Sequence, residues 1–199
     1  MIYEASKGQF NGLFNDIYQK IGEEGLKKSF YLTGTKKIET GERGDPCVVI
    51  LPTNIGNADK NNWHSINQTN SSLYIHFKYF SFAMSDYSIR VRNDIDFYFP
   101  SEYLFECSND NKTWSLLHHF DSPELSHIGA SATFHINKTK SCNYYRFIQL
   151  KTELQYRDYF VLNRIEFFGM IIFVKRQTCK FIRRNNANYM FCLLLFYSQ

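Results

Sequence analysis

From residue 72 onward the chain alternates apolar and polar side chains with period two, in one short run after another. In SLYIHF, Leu73, Ile75 and Phe77 alternate with Tyr74 and His76; in DYSIRVR, Tyr87, Ile89 and Val91 alternate with Ser88, Arg90 and Arg92. Successive side chains of a strand point to opposite faces, so this pattern makes half-buried strands and does not fit a helix over the same residues. It recurs at Tyr103, Phe105 and Cys107, at Trp114, Leu116, His118 and Phe120, and at Ala132, Phe134 and Ile136, and it closes with YYRFIQLK and VLNRIEFFG. Runs this short, bounded by polar turn residues, predict an all-β, antiparallel sandwich. The aromatic content of 18% agrees, because such side chains favour pleated, half-buried surfaces. A chain of 199 residues suffices for one domain with its own core.

Upstream the pattern changes. In FNGLFNDIYQKIG, Leu13, Phe14, Ile17, Tyr18 and Ile21 fall on one face of a short helix, with Gly22 as its expected stop. Residues 40–64 are rich in Gly, Pro, Asn and Asp and read mostly as loop. Consecutive reversals return every second loop of an antiparallel sandwich to the same end. Residues 54–64, 92–100, 121–130 and 152–160 therefore share one end, and the turns near 80, 110 and 140 share the other. The longer loops carry the candidate ligand contacts Trp63, His64, Asp94, Tyr98, His127, Tyr156 and Arg157, because binding residues commonly sit on loops held by a rigid scaffold. Trp63 suits either a sugar ring or a plug closing the end of the sandwich, and both readings stay open at this stage. Arg90 and Arg92 fall near the same end as partners for acidic groups.

Several functional classes lack their signatures. The net charge is +4, with much of the excess at Lys175, Arg176, Lys180, Arg183 and Arg184, so the remainder carries no basic footprint for nucleic acid. No phosphate loop, GxSxG elbow or HExxH helix occurs. Asp94 and Asp96 form a catalytic pair only if burial shifts one of their pKa values, and a solvated loop is the simpler reading. No metal or other cofactor is expected: CSNDNKTW (107–114) offers a single carboxylate where calcium needs several, and adjacent His118 and His119 point to opposite strand faces. The five cysteines show no CxxC spacing and are expected as free thiols. The N-terminus does not read as a secretory signal, so a cytoplasmic protein is expected, and without such a signal the four Asn-X-Ser/Thr triplets at Asn67, Asn70, Asn111 and Asn137 are not expected to be glycosylated. The tail sets a basic cluster beside YMFCLLLFYSQ, too short to cross a bilayer; a frayed extension accounts for it better than contact with an anionic membrane.

YLFECSNDNKTWSLL, then YYRFIQLKT, then VLNRIEFFG resemble the discoidin, or coagulation-factor type C, domain of the galactose-binding-like superfamily, in its divergent intracellular protist form. Ser108, Asn109, Asp110 and Trp114 match the first phrase, Tyr145, Arg146, Phe147, Ile148 and Leu150 the second, and Ile165 to Gly169 the third. FNGLFNDI and DYSIRVRN sit where divergent members carry similar phrases. Asn111 stands in place of the family's turn glycine, Gln149 in place of an arginine, and the terminal disulfide of secreted members has no counterpart after Gly169.

The resemblance implies a jelly-roll sandwich over residues 10–172 with a short N-terminal helix, flanked by an extension at 1–9 and the tail at 173–199. It also implies a binding module rather than an enzyme, engaging a glycan or a protein through the loops at one end. The alternative is an adaptor domain with no small-molecule ligand. On this reading CSNDNKTW is only a turn, with Trp114 returning to the core.

Overall fold

The computed structural model describes residues 1–34, 46–52, 62–94, 98–137, 140–152 and 159–173. Asp96, Tyr156, Arg157 and the basic tail lie outside these residues. In chain order the elements are β1 (Ile2–Tyr3), helix α1 (Leu13–Ser29), β2 (Phe30–Gly34), β3 (Trp63–His64), β4 (Ser72–Phe77), β5 (Ser81–Val91), β6 (Pro100–Ser108), β7 (Ser115–Asp121), β8 (Ser131–His135), β9 (Ser141–Cys142), β10 (Tyr144–Thr152) and β11 (Val161–Ile172). Short 3-10 turns lie between some of them.

The strands form two antiparallel sheets. One has the order β2-β4-β10-β6-β7; the other runs β1-β11-β5-β8, with β3 also on β11 and β9 also on β5. The expected sandwich is therefore present. Residues 1–9 contribute to it as well, since Ile2 and Tyr3 pair with Met170 and Gly169 rather than lying outside the domain.

The alternating apolar positions meet between the sheets as an aromatic core. Phe105 and Phe147 stack at 4.2 Å between centroids, Tyr87 lies 4.6 Å from Phe105, and Phe77 packs against Tyr145 and Phe167. The buried phenols keep partners: Tyr87 and Tyr103 share a hydrogen bond of 2.9 Å, and Tyr87 also meets His118 Nδ1 at 2.7 Å. Leaving such a hydroxyl unpaired would cost roughly 1–3 kcal/mol.

Helix α1 runs past its expected stop. Gly22 does interrupt it, with φ 71° and ψ −177°, but a second helical stretch follows and ends at Ser29. A positive φ is open to glycine without penalty, so the chain kinks there and resumes.

Two further expectations are corrected. Cys107 and Cys142 are not free thiols: they form a disulfide, with Cα atoms 5.9 Å apart, that joins β6 of one sheet to β9 of the other. Trp114 does not return to the core but lies half-buried over the outer face of the five-stranded sheet. A register shift between β6 and β7 is the cause. Phe105 pairs with His118 while Glu106 pairs with Leu116, leaving Leu117 as an extra residue. Such a bulge turns Leu117 and His118 to the same side, so the alternation reverses and Trp114 and Leu116 face outward while His118 and Phe120 face inward.

Candidate functional site

The described parts of the four longer loops gather at one end of the sandwich. Leu162 pairs with Val91 and Val161 with His64, the Ser65 amide donates to the Phe160 carbonyl, and the Gly129 amide donates to the Arg92 carbonyl at 2.7 Å. β3, although only two residues long, thereby holds His64 beside the point where β5 gives way to its loop.

Arg92 organises this end. It is 1% exposed, yet its guanidinium faces the loop and grips Asp94 with two hydrogen bonds, Nε to Oδ1 at 2.8 Å and Nη2 to Oδ2 at 3.1 Å. Fork-to-fork pairing of this kind fixes geometry as well as charge. Partial burial pulls the Asp94 pKa upward, but the bonds and charge of Arg92, helped by His64, hold it below the usual carboxylate range. Asp94 is therefore ionised at neutral pH, and about a third of its side chain is open to solvent.

Aromatic rings flank the pair. Tyr98, held at φ 66°, places its ring 5.8 Å from the Arg92 guanidinium and edge-on to Tyr159 at 5.2 Å. His127 is exposed on the loop that docks through Gly129, in the turn closed by the Ala130 amide on the His127 carbonyl. Of the expected contacts, His64, Asp94, Tyr98 and His127 thus lie at one end; Tyr156 and Arg157 fall outside the described residues.

Of the two readings of Trp63, the plug is the one the structure shows and the ligand contact is the one it removes. The side chain is wholly buried, edge-on to Phe160 at 6.2 Å, and forms part of the floor beneath the loops, so its face is closed to any ligand. Around it lies a polar layer in which Asn163 donates to Asn62 at 3.3 Å. Arg90 is also diverted, stacking on Phe10 at 4.7 Å alongside Arg164. The exposed Ile128, 47% accessible at the loop tip, was missed because a lone apolar residue in a polar loop gives no periodic signal. Among the described residues, no three His, Cys, Asp or Glu side chains converge in a way that would hold a metal.

No family model matches the chain, and no curated protein matches it in sequence. Solved structures do. The module CpGH89CBM32-5 from Clostridium perfringens, in complex with GalNAc-β-1,3-galactose, superposes with a TM-score of 0.56 at 13% identity, covering 72% of this chain and 97% of its own. The family 32 carbohydrate-binding module of C. perfringens NanJ, in complex with galactose, gives 0.54 at 11%, covering 72% and 96%. A fucolectin from Morone saxatilis (striped bass) serum gives 0.52 at 15%, covering 71% of this chain and 47% of the lectin chain. The chain shares the antiparallel β-sandwich fold of these proteins.

Proposed function

We propose that this chain is a non-catalytic glycan-binding module that takes a sugar at the end formed by His64, Asp94, Tyr98 and the 127–129 turn. The observation that carries the reading is the Arg92–Asp94 pair beside Tyr98 and Tyr159. A sugar offers hydroxyls in its plane and C–H groups on its faces. A fixed carboxylate and an imidazole suit the first, and a tyrosine ring suits the second. The resemblance in fold to modules solved with galactose and with GalNAc-β-1,3-galactose supports the choice of ligand class.

Titration calorimetry with galactose and with that disaccharide tests it. Binding is expected, with Asp94→Asn weakening it at least tenfold while the circular dichroism spectrum is unchanged. No heat from either sugar at millimolar concentration, with no signal on a glycan array, would overturn the reading in favour of an adaptor domain.

The compartment belongs to the same proposal. The cytoplasmic expectation rested on an N-terminus that does not read as a secretory signal, and a Cys107–Cys142 bond favours an oxidising compartment instead. Because both sulfurs are buried, alkylation is done after unfolding without a reductant and read by mass spectrometry: both cysteines protected supports the oxidising compartment, and both labelled returns the chain to the cytosol.

A further inference from the structure

The outer face of the five-stranded sheet, near the short-turn end of the sandwich, carries two adjoining rows of side chains. Tyr31, His76 and Tyr144 are direct cross-strand partners on β2, β4 and β10; one step along, Thr33, Tyr74, Arg146 and Glu106 form the next row. Trp114, turned outward by the β7 bulge, closes over the second row with its ring 4.0 Å from the Arg146 guanidinium and edge-on to Tyr74 at 6.0 Å. Apart from Glu106, which lies behind Arg146, these side chains and Asn111 line a groove of about 480 Å³, within the range of small-ligand sites.

The lining is unlike an ordinary solvated strand face. His76 and Tyr144 stack at 4.2 Å with their planes 8° apart, and Trp114 is held on Arg146, so these rings are already ordered before any ligand arrives. Tyr31 is 52% exposed. Among the described residues, no hydrogen bond occupies the hydroxyls of Tyr31, Tyr74 or Tyr144. A contiguous, preorganised aromatic surface of this kind marks a place where something binds.

Charge narrows the occupant. Arg146 is the cation of the groove, and Glu106 neutralises it through Nε at 2.6 Å. Burial first, and the charge of Lys78 second, keep His76 in its neutral form. A net-neutral lining gives no purchase to phosphate or nucleic acid, and it offers no unclaimed carboxylate to the basic tail of this chain. Flat ring faces interleaved with phenol, hydroxyl and amide groups match pyranose rings, which present C–H faces and equatorial hydroxyls together.

We propose that this groove is a second carbohydrate site, taking a neutral internal stretch of a polysaccharide along the sheet, at the opposite end of the sandwich from the loop site. It extends the glycan reading to another surface, and the two sites stand or fall separately.

Native electrophoresis in gels cast with soluble xylan, mixed-linkage β-glucan or galactomannan tests it. At least one polymer is expected to retard the full chain, even with galactose saturating the sample. Trp114→Ala and Tyr31→Ala, both changes at solvent-facing positions, are expected to weaken that retardation at least tenfold with the near-ultraviolet dichroism otherwise retained. Because Trp63 is buried, the same polymer should shift the emission of Trp114 and lose that effect in Trp114→Phe. Absence of retardation by all three polymers overturns the proposal. So does retardation indifferent to both alanine variants, or a concentration-dependent dimer abolished by Tyr31→Ala, which would assign the face to a second copy of the chain.

Discussion

Glu166 shows how one side chain joins distant parts of this sequence. Its carboxylate is fully buried and accepts hydrogen bonds from the Phe14 amide at 2.7 Å, the Asn15 amide at 3.0 Å and the Phe167 amide at 3.1 Å. The first amides of a helix have no partner within it, and negative charge is favoured there, so a residue of β11 caps α1. Gly12 makes the approach possible, since a Cβ at that position would lie 2.4 Å from the Phe167 carbonyl oxygen. FNGLF and RIEFFG are thus two halves of one joint. Burial pushes the Glu166 pKa up to about 7, against the pull of the three amides and Arg164. A raised pKa means that the folded state holds its proton more tightly than the unfolded chain does. The contribution is complete below about pH 4.5 and is lost as pH rises through 7, a change of ~3 kcal/mol. Denaturant melts of the wild type against Glu166→Gln should show this slope between pH 4.5 and 7 in the wild type alone; parallel curves would refute the assignment.

At the scale of elements, the turn from Ser108 to Trp114 is built by its own side chains. Asp110 Oδ1 accepts from the amides of Lys112 and Thr113 at 2.8 and 2.7 Å and from the Ser108 hydroxyl at 2.9 Å, while Asn111 takes φ 57°. Those amides, with the hydroxyl, hold the Asp110 pKa well below the usual carboxylate range. A depressed pKa stabilises the fold above the unfolded value and ceases to do so in acid. Asp110→Ala should therefore lower Tm at neutral pH, and the gap should close as pH falls below about 3.8. The element pattern also explains what could be read in advance. The seven longer strands and the start of α1 were legible because their periodicity is local. β1, β3 and β9 were not, because two-residue strands are defined by their partners; β2 follows directly on the helix and exposes Tyr31 in mid-strand. Loop parity was enough to gather His64, Asp94, Tyr98 and His127 at one end. It was not enough to bury Trp63, which depends on the pairing of β3 with β11, nor to turn Trp114 outward, which depends on one extra residue opposite β6.

For the molecule as a whole, the disulfide is the strongest single constraint. Cys107 and Cys142 are both fully buried and separated by 35 residues in sequence. Closing a loop of that length stabilises the folded state by ~4 kcal/mol in the chain-entropy account. Thiol reduction under unfolding conditions, followed by a melt, should reveal a loss of that order, and Cys107→Ala with Cys142→Ala should reproduce it. An unchanged midpoint would mean that the two thiols merely pack together.

The same bond sets how the module would behave under mechanical load. If its two ends are pulled apart, β7, β8 and the turns between Cys107 and Cys142 form a closed ring that cannot be paid out as chain. Roughly 120 Å of contour stays locked inside it, at about 3.4 Å per residue. Single-molecule extension traces should lengthen by that increment when a reductant is added. Until then Trp114 and the 127–129 turn both ride within the locked segment, so a pull on the chain ends cannot draw either of them out as extended chain.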